Sequence, residues 1–263
     1  MENAIFLTDL RLVRDLKCFH RLYFGNEFCQ RLIPTHKELL QAIEIVAKNN
    51  LRLTLVSPYC TNLGLEQIKK SILAIERHYP LKEIELVFND WGVFLEMRRH
   101  FPKLNLIMGR LLTKQHRDPR LLQIISEQKK QEATYFDKKS GKVVVIHKKS
   151  LPVDTIKHYR DSNLNVTLLN EFLLKNQIHR AEIDNLLQGI NPLSQANINV
   201  SLYYPYLYLT TSRFCKSSNS EINNLNNVRR INRCTKACKN SYYHISYSSI
   251  KEPVFLRGNT FFI

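Results

Sequence analysis

Short strand-like runs alternate with amphipathic stretches along the first part of the chain, and this alternation restricts the fold more than any other feature. In the helical stretches, apolar residues recur every three or four positions, the period of one helix face. The strand-like runs are 21–25, 51–56, 83–88 and 104–108, and the helical stretches are 37–48, 65–78 and 91–100. Repeated β–α units predict a parallel sheet with right-handed crossovers. A βα-barrel and an open α/β sheet both satisfy this prediction.

The second half of the chain is less regular, but it continues the mixed pattern. We expect a helix over 119–132, strands at 142–146, 165–169 and 178–183, a short helix at 170–176, and a long tyrosine-rich strand over 198–210. A polar stretch follows Cys215, and the last ten residues, Val254–Ile263, resemble a hairpin with its turn at 257–260. With 263 residues, 44% of them apolar, the chain can bury a large core. We therefore predict one α/β domain over 1–263, with a cysteine-bearing C-terminal segment at 211–263.

The chain is strongly basic, with a formal net charge of +16 and a pI near 9.6. Such an excess favours anionic partners, RNA among them, although a solvated Lys/Arg-rich surface explains it equally well. No apolar run approaches the roughly 18 residues that a membrane-spanning helix needs. The first residues lack the basic and apolar regions of a secretory signal, so we expect a cytoplasmic protein without a membrane span.

Three of the six cysteines cluster late in the chain, at Cys215, Cys234 and Cys238. The spacing Cys234-x3-Cys238 places both thiols on one face of a helical segment, where they can bind one metal centre. Basic neighbours would balance the negative charge of a thiolate-bound group. Spacing does not separate zinc from iron–sulfur, and a redox pair or unrelated core thiols remain alternatives.

A four-thiolate shell requires one more cysteine. Cys29 follows the first predicted strand and Cys60 follows the second, so both belong at the carboxyl ends of parallel strands, where sites of such folds lie. Cys18 precedes the first strand and belongs at the opposite end. The residues alone leave Cys29 and Cys60 as equal candidates.

Polar residues at strand ends are further candidates. Asn89 and Asp90 end a strand and are catalytic candidates, although Asp90 equally suits the N-cap of the helix over 91–100. Glu182 and Asp184 alternate with apolar residues, so both carboxylates point to one face of their strand. Paired carboxylates suit acid–base catalysis, and ion pairs with nearby arginines are the structural alternative.

Two further groups are candidates for binding a substrate. Arg110, Arg117 and Arg120 can grip an anionic group, or else tether their loop to the adjoining helix. Tyr204, with Tyr206 and Tyr208, shares one face if the strand over 198–210 is continuous. These rings then either stack on a planar substrate or pack the wall of the sheet.

Five segments together resemble one family. Residues 23–31 resemble its Y-x-G-x-x-x-C-x-(K/R) segment, 87–93 its V-x-N-D-x-G strand end, and 109–120 its G-R-L-L…R-D-P-R loop. Residues 180–184 resemble its R-x-E-L-D strand, and Cys215, Cys234 and Cys238 its late cysteine set. This is the peptidase U32 family, also called collagenase-like. The layout is most similar to the small iron–sulfur member of anaerobic ubiquinone biosynthesis.

The resemblance implies a TIM-barrel-like (βα) barrel, in complete, incomplete or distorted form. It also implies a [4Fe–4S] cluster, with zinc as the runner-up. Carried over by motif, the cluster ligands are Cys29, Cys215, Cys234 and Cys238. Relatives support oxygen-independent hydroxylation of a quinone ring or an RNA base, so the resemblance favours a component of such a hydroxylase over a protease.

The arginine loop and the tyrosine run suggest an anionic or aromatic small molecule as a partner. The resemblance also implies a second U32-family protein in a heterodimer. Two functional alternatives stay open. One is a collagenase-like peptidase, for which the sequence offers neither an H-E-x-x-H nor a G-x-S-x-G motif. The other is a non-enzymatic RNA-binding protein that uses the basic charge.

Overall fold

A computed structural model describes residues 2–118, 120–126, 131–148, 151–193, 198–209, 211, 234, 236 and 260–262. The strands are β1 (Glu2–Leu7), β2 (Arg21–Gly25), β3 (Arg52–Val56), β4 (Ile84–Phe88), β5 (Asn105–Met108), β6 (Gln131–Asp137), β7 (Lys142–Lys148), β8 (Arg180–Asp184), β9 (Asn199–Tyr203) and β10 (Thr260–Phe262). The helices are α1 (His36–Lys48), α2 (Asn62–Glu76), α3 (Trp91–His100), α4 (Arg120–Ser126), α5 (Val153–Tyr159) and α6 (Thr167–Lys175).

Seven strands form one curled parallel sheet in the order β1-β2-β3-β4-β5-β8-β9. The short strand β10 pairs in parallel with both β9 and β1, so the strand order runs around a ring. Strands β6 and β7 form a separate antiparallel hairpin between α4 and α5. The parallel α/β architecture predicted from the repeats is therefore confirmed.

Local sequence explains where the helices begin and what they bury. Thr35 and Glu38 form a reciprocal capping box at the start of α1. Apolar residues one turn apart, such as Ile68, Ile72 and Ile75 of α2, are buried against the outer face of the sheet. This layer between helices and sheet is the main hydrophobic core.

The inner face of the curled sheet is polar at the amino ends of its strands. Arg21 of β2 donates to Glu2 at 2.9 Å and to Thr54 at 2.8 Å, and it forms an ion pair with Glu85. Arg180 of β8 also contacts Glu85. The two arginines are buried and their carboxylate partners are partly buried, so each arginine requires its partner. Above this layer lies a small apolar cluster, which includes Tyr23, Val87 and Ile107.

Several predicted elements differ in the structure. The sequence analysis missed β1, and the helix expected over 119–132 covers only Arg120–Ser126 before β6 begins at Gln131. The strand expected at 165–169 is wrong, because helix α6 begins at Thr167 and buries Asn170 and Leu173, three residues apart. The tyrosine-rich strand ends at Tyr203. The hairpin turn expected at 257–260 lies largely outside the described residues.

None of the helices in the described part of the chain has the length and apolar character needed to cross a bilayer.

Candidate functional site at the carboxyl ends of the strands

The loops that follow the parallel strands meet at one end of the curled sheet. We call this end the carboxyl rim; it consists of residues 26–30, 57–60, 89–90, 109–118, 185–188, 204–209 and 211. In parallel α/β folds, binding and catalytic residues lie at this end. Most of the candidate residues from the sequence are found here.

Arg110, which follows β5, lies at the centre of the rim and is almost fully buried. Its guanidinium group donates to Glu27 at 2.8 and 2.5 Å and to Asp184 at 2.6 Å. The guanidinium carbon also lies 3.7 Å from the centre of the Tyr203 ring. Burial alone lowers the pKa of Arg110, but the charges of Glu27 and Asp184 raise it well above its ordinary value. Arg110 therefore carries a permanent charge that joins β2, β5 and β8 at the rim.

Arg117 completes this buried cluster. It donates to the second oxygen of Asp184 at 2.5 Å and to the carbonyl oxygens of Arg110 and Thr113 at 2.9 and 3.3 Å. Its guanidinium carbon lies 4.2 Å from the centre of the Tyr208 ring. Arg110 and Arg117 are thus committed to carboxylates and carbonyls of the protein itself. Both of them tether their loop, although to Glu27 and Asp184 rather than to the adjoining helix as the tethering alternative predicted.

Arg120 does not join the cluster. It forms an exposed pair with Asp118 at 2.5 Å on the outer surface. Exposed pairs of this kind contribute little to stability, because water and salt screen them.

Glu182 and Asp184 point to the same face of β8, as the alternation predicts, but their surroundings differ. Asp184 pairs with two arginines. Glu182 is fully buried and accepts a hydrogen bond from the Tyr203 hydroxyl at 2.9 Å. Burial, and next the negative charge of Glu27, raise the pKa of Glu182 from 4.5 to about 8. Glu182 is therefore protonated at neutral pH, whereas the paired Asp184 has the environment of a structural carboxylate.

Asn89 and Asp90 both have structural contacts at the rim. The Asn89 amide donates to the Ser57 carbonyl oxygen at 2.9 Å and accepts from the Leu111 N–H at 3.1 Å. Asp90 caps α3 by accepting from the Gly92 N–H at 2.7 Å, as the N-cap alternative predicts. Its other oxygen accepts from the Cys60 N–H at 3.3 Å. Both side chains tie neighbouring loops together.

Gly109 explains why the motifs around Asn89 and Arg110 occur together. A Cβ atom at residue 109 would lie 2.1 Å from Oδ1 of Asn89. Only glycine leaves space for the Asn89 amide at this point.

Two of the four expected cluster ligands lie among the described residues. Cys29 is partly buried on the carboxyl rim, where its backbone N–H donates to the Asn26 side chain at 2.9 Å. Cys234 is also partly buried, and both residues are free thiols. Cys215 and Cys238 lie outside the described residues. Cys60 is found on the same rim, one residue from Tyr59, as its place after β3 predicts.

Two described residues after β9, Tyr208 and Thr211, contact other loops of the carboxyl rim. Tyr208 packs on Phe28, the residue before Cys29, with 5.8 Å between ring centres. The hydroxyls of Thr211 and Tyr59 share a hydrogen bond of 2.8 Å. Tyr208 and Thr211 are thereby held against the loops that carry Cys29 and Cys60.

Sequence reasoning missed several residues of the site. Glu27 lies inside the family-like segment 23–31, and Tyr203 is the last residue of β9. Neither is among the site residues predicted from the sequence. Because β9 ends at Tyr203, the tyrosines after it do not share a face. Tyr204 and Tyr206 are 44% and 77% exposed, whereas Tyr208 packs into the rim. The relevant signal was the strand period, which aligns Tyr203 with Ser201 inside the sheet.

No family model matches the chain, and neither a curated protein nor a solved structure is significantly similar to it. Within the part of the chain that the structure describes, no group of three or more His, Cys, Asp or Glu side chains is arranged to hold a metal ion.

Proposed function

We propose that this chain is an iron–sulfur protein of the peptidase U32 type, with a distorted TIM-barrel-like fold and a [4Fe–4S] cluster held by Cys29, Cys215, Cys234 and Cys238. The proposal extends to the reaction, an oxygen-independent hydroxylation of a quinone ring or an RNA base. The observation that carries it is the hydrogen bond between Tyr59 and Thr211 at 2.8 Å. This bond holds Thr211, four residues before Cys215 in the sequence, on the rim that carries Cys29.

Chain length supports the proximity of the two cysteines. Thr211 precedes Cys215 by four residues, and four extended residues span at most about 14 Å. The Phe28–Tyr208 contact anchors the same segment beside Cys29. The chain can therefore bring Cys215 back over the rim without displacing either anchor.

The donor set fits the proposed group. Four cysteine thiolates are the usual ligands of a [4Fe–4S] cluster, and such a cluster supplies one-electron transfer when it is bound. The protein would contribute a partly buried position for Cys29 and a rigid rim beside it. A second U32-family protein is the partner that we propose for the reaction, since the resemblance implies a heterodimer.

The experiment is strictly anaerobic purification, followed by iron and sulfide quantification and electron paramagnetic resonance. We expect about four irons per chain, as the cluster type requires, and a signal that disappears in air. The peptidase alternative predicts instead that metal-free protein cleaves peptides. Zinc in place of iron after anaerobic work would refute the cluster. The same measurement is made on Cys29→Ala, Cys215→Ala, Cys234→Ala and Cys238→Ala. Full iron content in all four variants would refute the ligand set.

A further inference from the structure

A cleft of about 470 Å³ opens on the carboxyl rim between α3 and the segment after β9. Tyr59, Trp91 and Tyr208 line it with aromatic rings, and Asp90 and Thr211 line it with polar atoms. Its wall is connected to Cys29, since Tyr208 packs on Phe28.

The aromatic walls are held in place before any ligand arrives. Trp91 packs against Phe88 and Phe172, with ring centres 5.8 and 5.6 Å apart, yet it is 40% exposed. Tyr208 is fixed by the Arg117 guanidinium, and Tyr59 is fixed by its hydrogen bond to Thr211. The rings of Trp91 and Tyr208, which are fixed by these contacts and line the cleft, suit stacking, because little conformational freedom is lost on binding.

The charges around the cleft select the kind of ring. Among the described residues that line it, Asp90 carries the only formal charge. Each Asp90 oxygen already accepts one backbone N–H, from Gly92 or Cys60. A carboxylate oxygen accepts a second hydrogen bond, so a ligand donor can still bind. The buried arginines Arg110 and Arg117 are paired with Glu27 and Asp184, and neither lines this cleft.

We propose that this cleft binds a planar, uncharged aromatic ring that carries a hydroxyl or a ring N–H. The ring stacks between Trp91 and Tyr208, and its donor group bonds to Asp90. The assignment of this ring as the substrate rests on the proposed function, but its binding does not. The proposal also replaces the anionic substrate that the arginine-rich loop suggested.

Trp91 is the only tryptophan of the chain, so its fluorescence reports on this cleft alone. The full-length protein, purified in air and free of iron, is titrated with phenol and with methoxybenzene, which lacks the donor. Uridine and N3-methyluridine form the second pair, and benzoate tests an anionic ring. We expect saturable quenching by phenol or uridine, with about tenfold weaker binding of the matched methylated ligand, since a hydrogen bond to a charged group is lost.

Two variants sharpen the test. Asp90→Asn keeps an oxygen to cap α3 but loses the charge, so we expect about tenfold weaker phenol binding. Asp154→Asn, in an exposed carboxylate of α5, should leave binding unchanged. Absent quenching, equal affinity within both ligand pairs, or tighter binding of benzoate would overturn the proposal. If the ligands bind but the anaerobically purified protein contains no iron, the proposed function is refuted and the ring-binding cleft is not. If the protein contains iron but no ligand binds, the ring-binding cleft is refuted and the proposed function is not.

Discussion

The Tyr203 hydroxyl donates a hydrogen bond to Glu182 at 2.9 Å, and both side chains are buried inside the curled sheet. The other oxygen of Glu182 has no hydrogen-bond partner among the described residues. Two carboxylates nearby, Glu27 and Asp184, pair with arginines, whereas Glu182 forms no such pair among the described residues. A buried carboxyl without a paired cation is favoured in its neutral form. The network at the carboxyl rim is thus balanced only while Glu182 is protonated.

Glu182 makes stability depend on pH. Because its pKa rises from 4.5 to about 8 on folding, the folded chain holds one more proton than the unfolded chain between these values. The free energy of unfolding should therefore fall as pH rises through this window, by up to about 1.4 kcal/mol per unit. Below the window both states are protonated, and above it both are ionised, so the slope disappears. Urea denaturation at a series of pH values measures it.

The variant Glu182→Gln tests whether Glu182 causes this pH dependence of the free energy of unfolding. Glutamine keeps the acceptor for Tyr203 and cannot ionise, so the slope should flatten and stability at pH 8 should increase. Glu171→Gln, on the exposed face of α6, should keep the wild-type slope. An unchanged slope in Glu182→Gln would assign the pH dependence to other groups.

Arg110→Ala should destabilise the fold strongly. The change leaves Glu27 and part of Asp184 buried without a cation, and breaking such a pair costs about 3–5 kcal/mol. Arg120→Ala removes an arginine from the exposed pair with Asp118 and should change the free energy of unfolding far less than Arg110→Ala does. Urea denaturation of both variants gives the comparison. Similar decreases in the free energy of unfolding of the two variants would show that the buried ion pairs of Arg110 do not stabilise the fold more than an exposed pair does.

Gly109 and Asn89 should be energetically coupled. Gly109→Ala places a methyl group 2.1 Å from the Asn89 amide oxygen, and such overpacking costs about 1–3 kcal/mol. Asn89→Ala removes the amide, so adding Gly109→Ala to it should cost much less than in the wild type. A double-mutant cycle of unfolding free energies measures the coupling. Additive losses would mean that the contact with Asn89 is not the reason for glycine here.

The sequence predicted the repeated part of the fold well, because periodicity there agrees with the final packing. Helix α3 spans Trp91–His100, the predicted range, since Asp90 caps it and Val93 and Met97 lie on one buried face. A strand was predicted at 165–169 because Val166 and Thr167 are β-branched. The structure has helix α6 there, and burial of Leu173 against the rest of the fold stabilises it. Secondary-structure propensity depends on residues close together in the sequence, so it does not predict the tertiary burial of Leu173.

The candidate site was predicted as a location more than as a set of roles. The positions of Asn89 and Asp184 at strand ends predicted one shared rim, and the structure also places Arg110 there. It could not tell that Arg110 would be saturated by Glu27, since those residues are 83 positions apart. The function of each side chain at the rim depends on the distant residue with which it pairs. A single sequence does not predict these long-range pairs.

The central claim is that Cys29, rather than its neighbour on the rim, is a ligand of an iron–sulfur cluster. The most direct measurement is the iron content per chain after anaerobic purification of Cys29→Ala and Cys60→Ala in parallel. The account predicts that Cys29→Ala loses most of its iron and its absorption in the visible range, while Cys60→Ala keeps both. Full iron in Cys29→Ala together with its loss in Cys60→Ala would contradict the account.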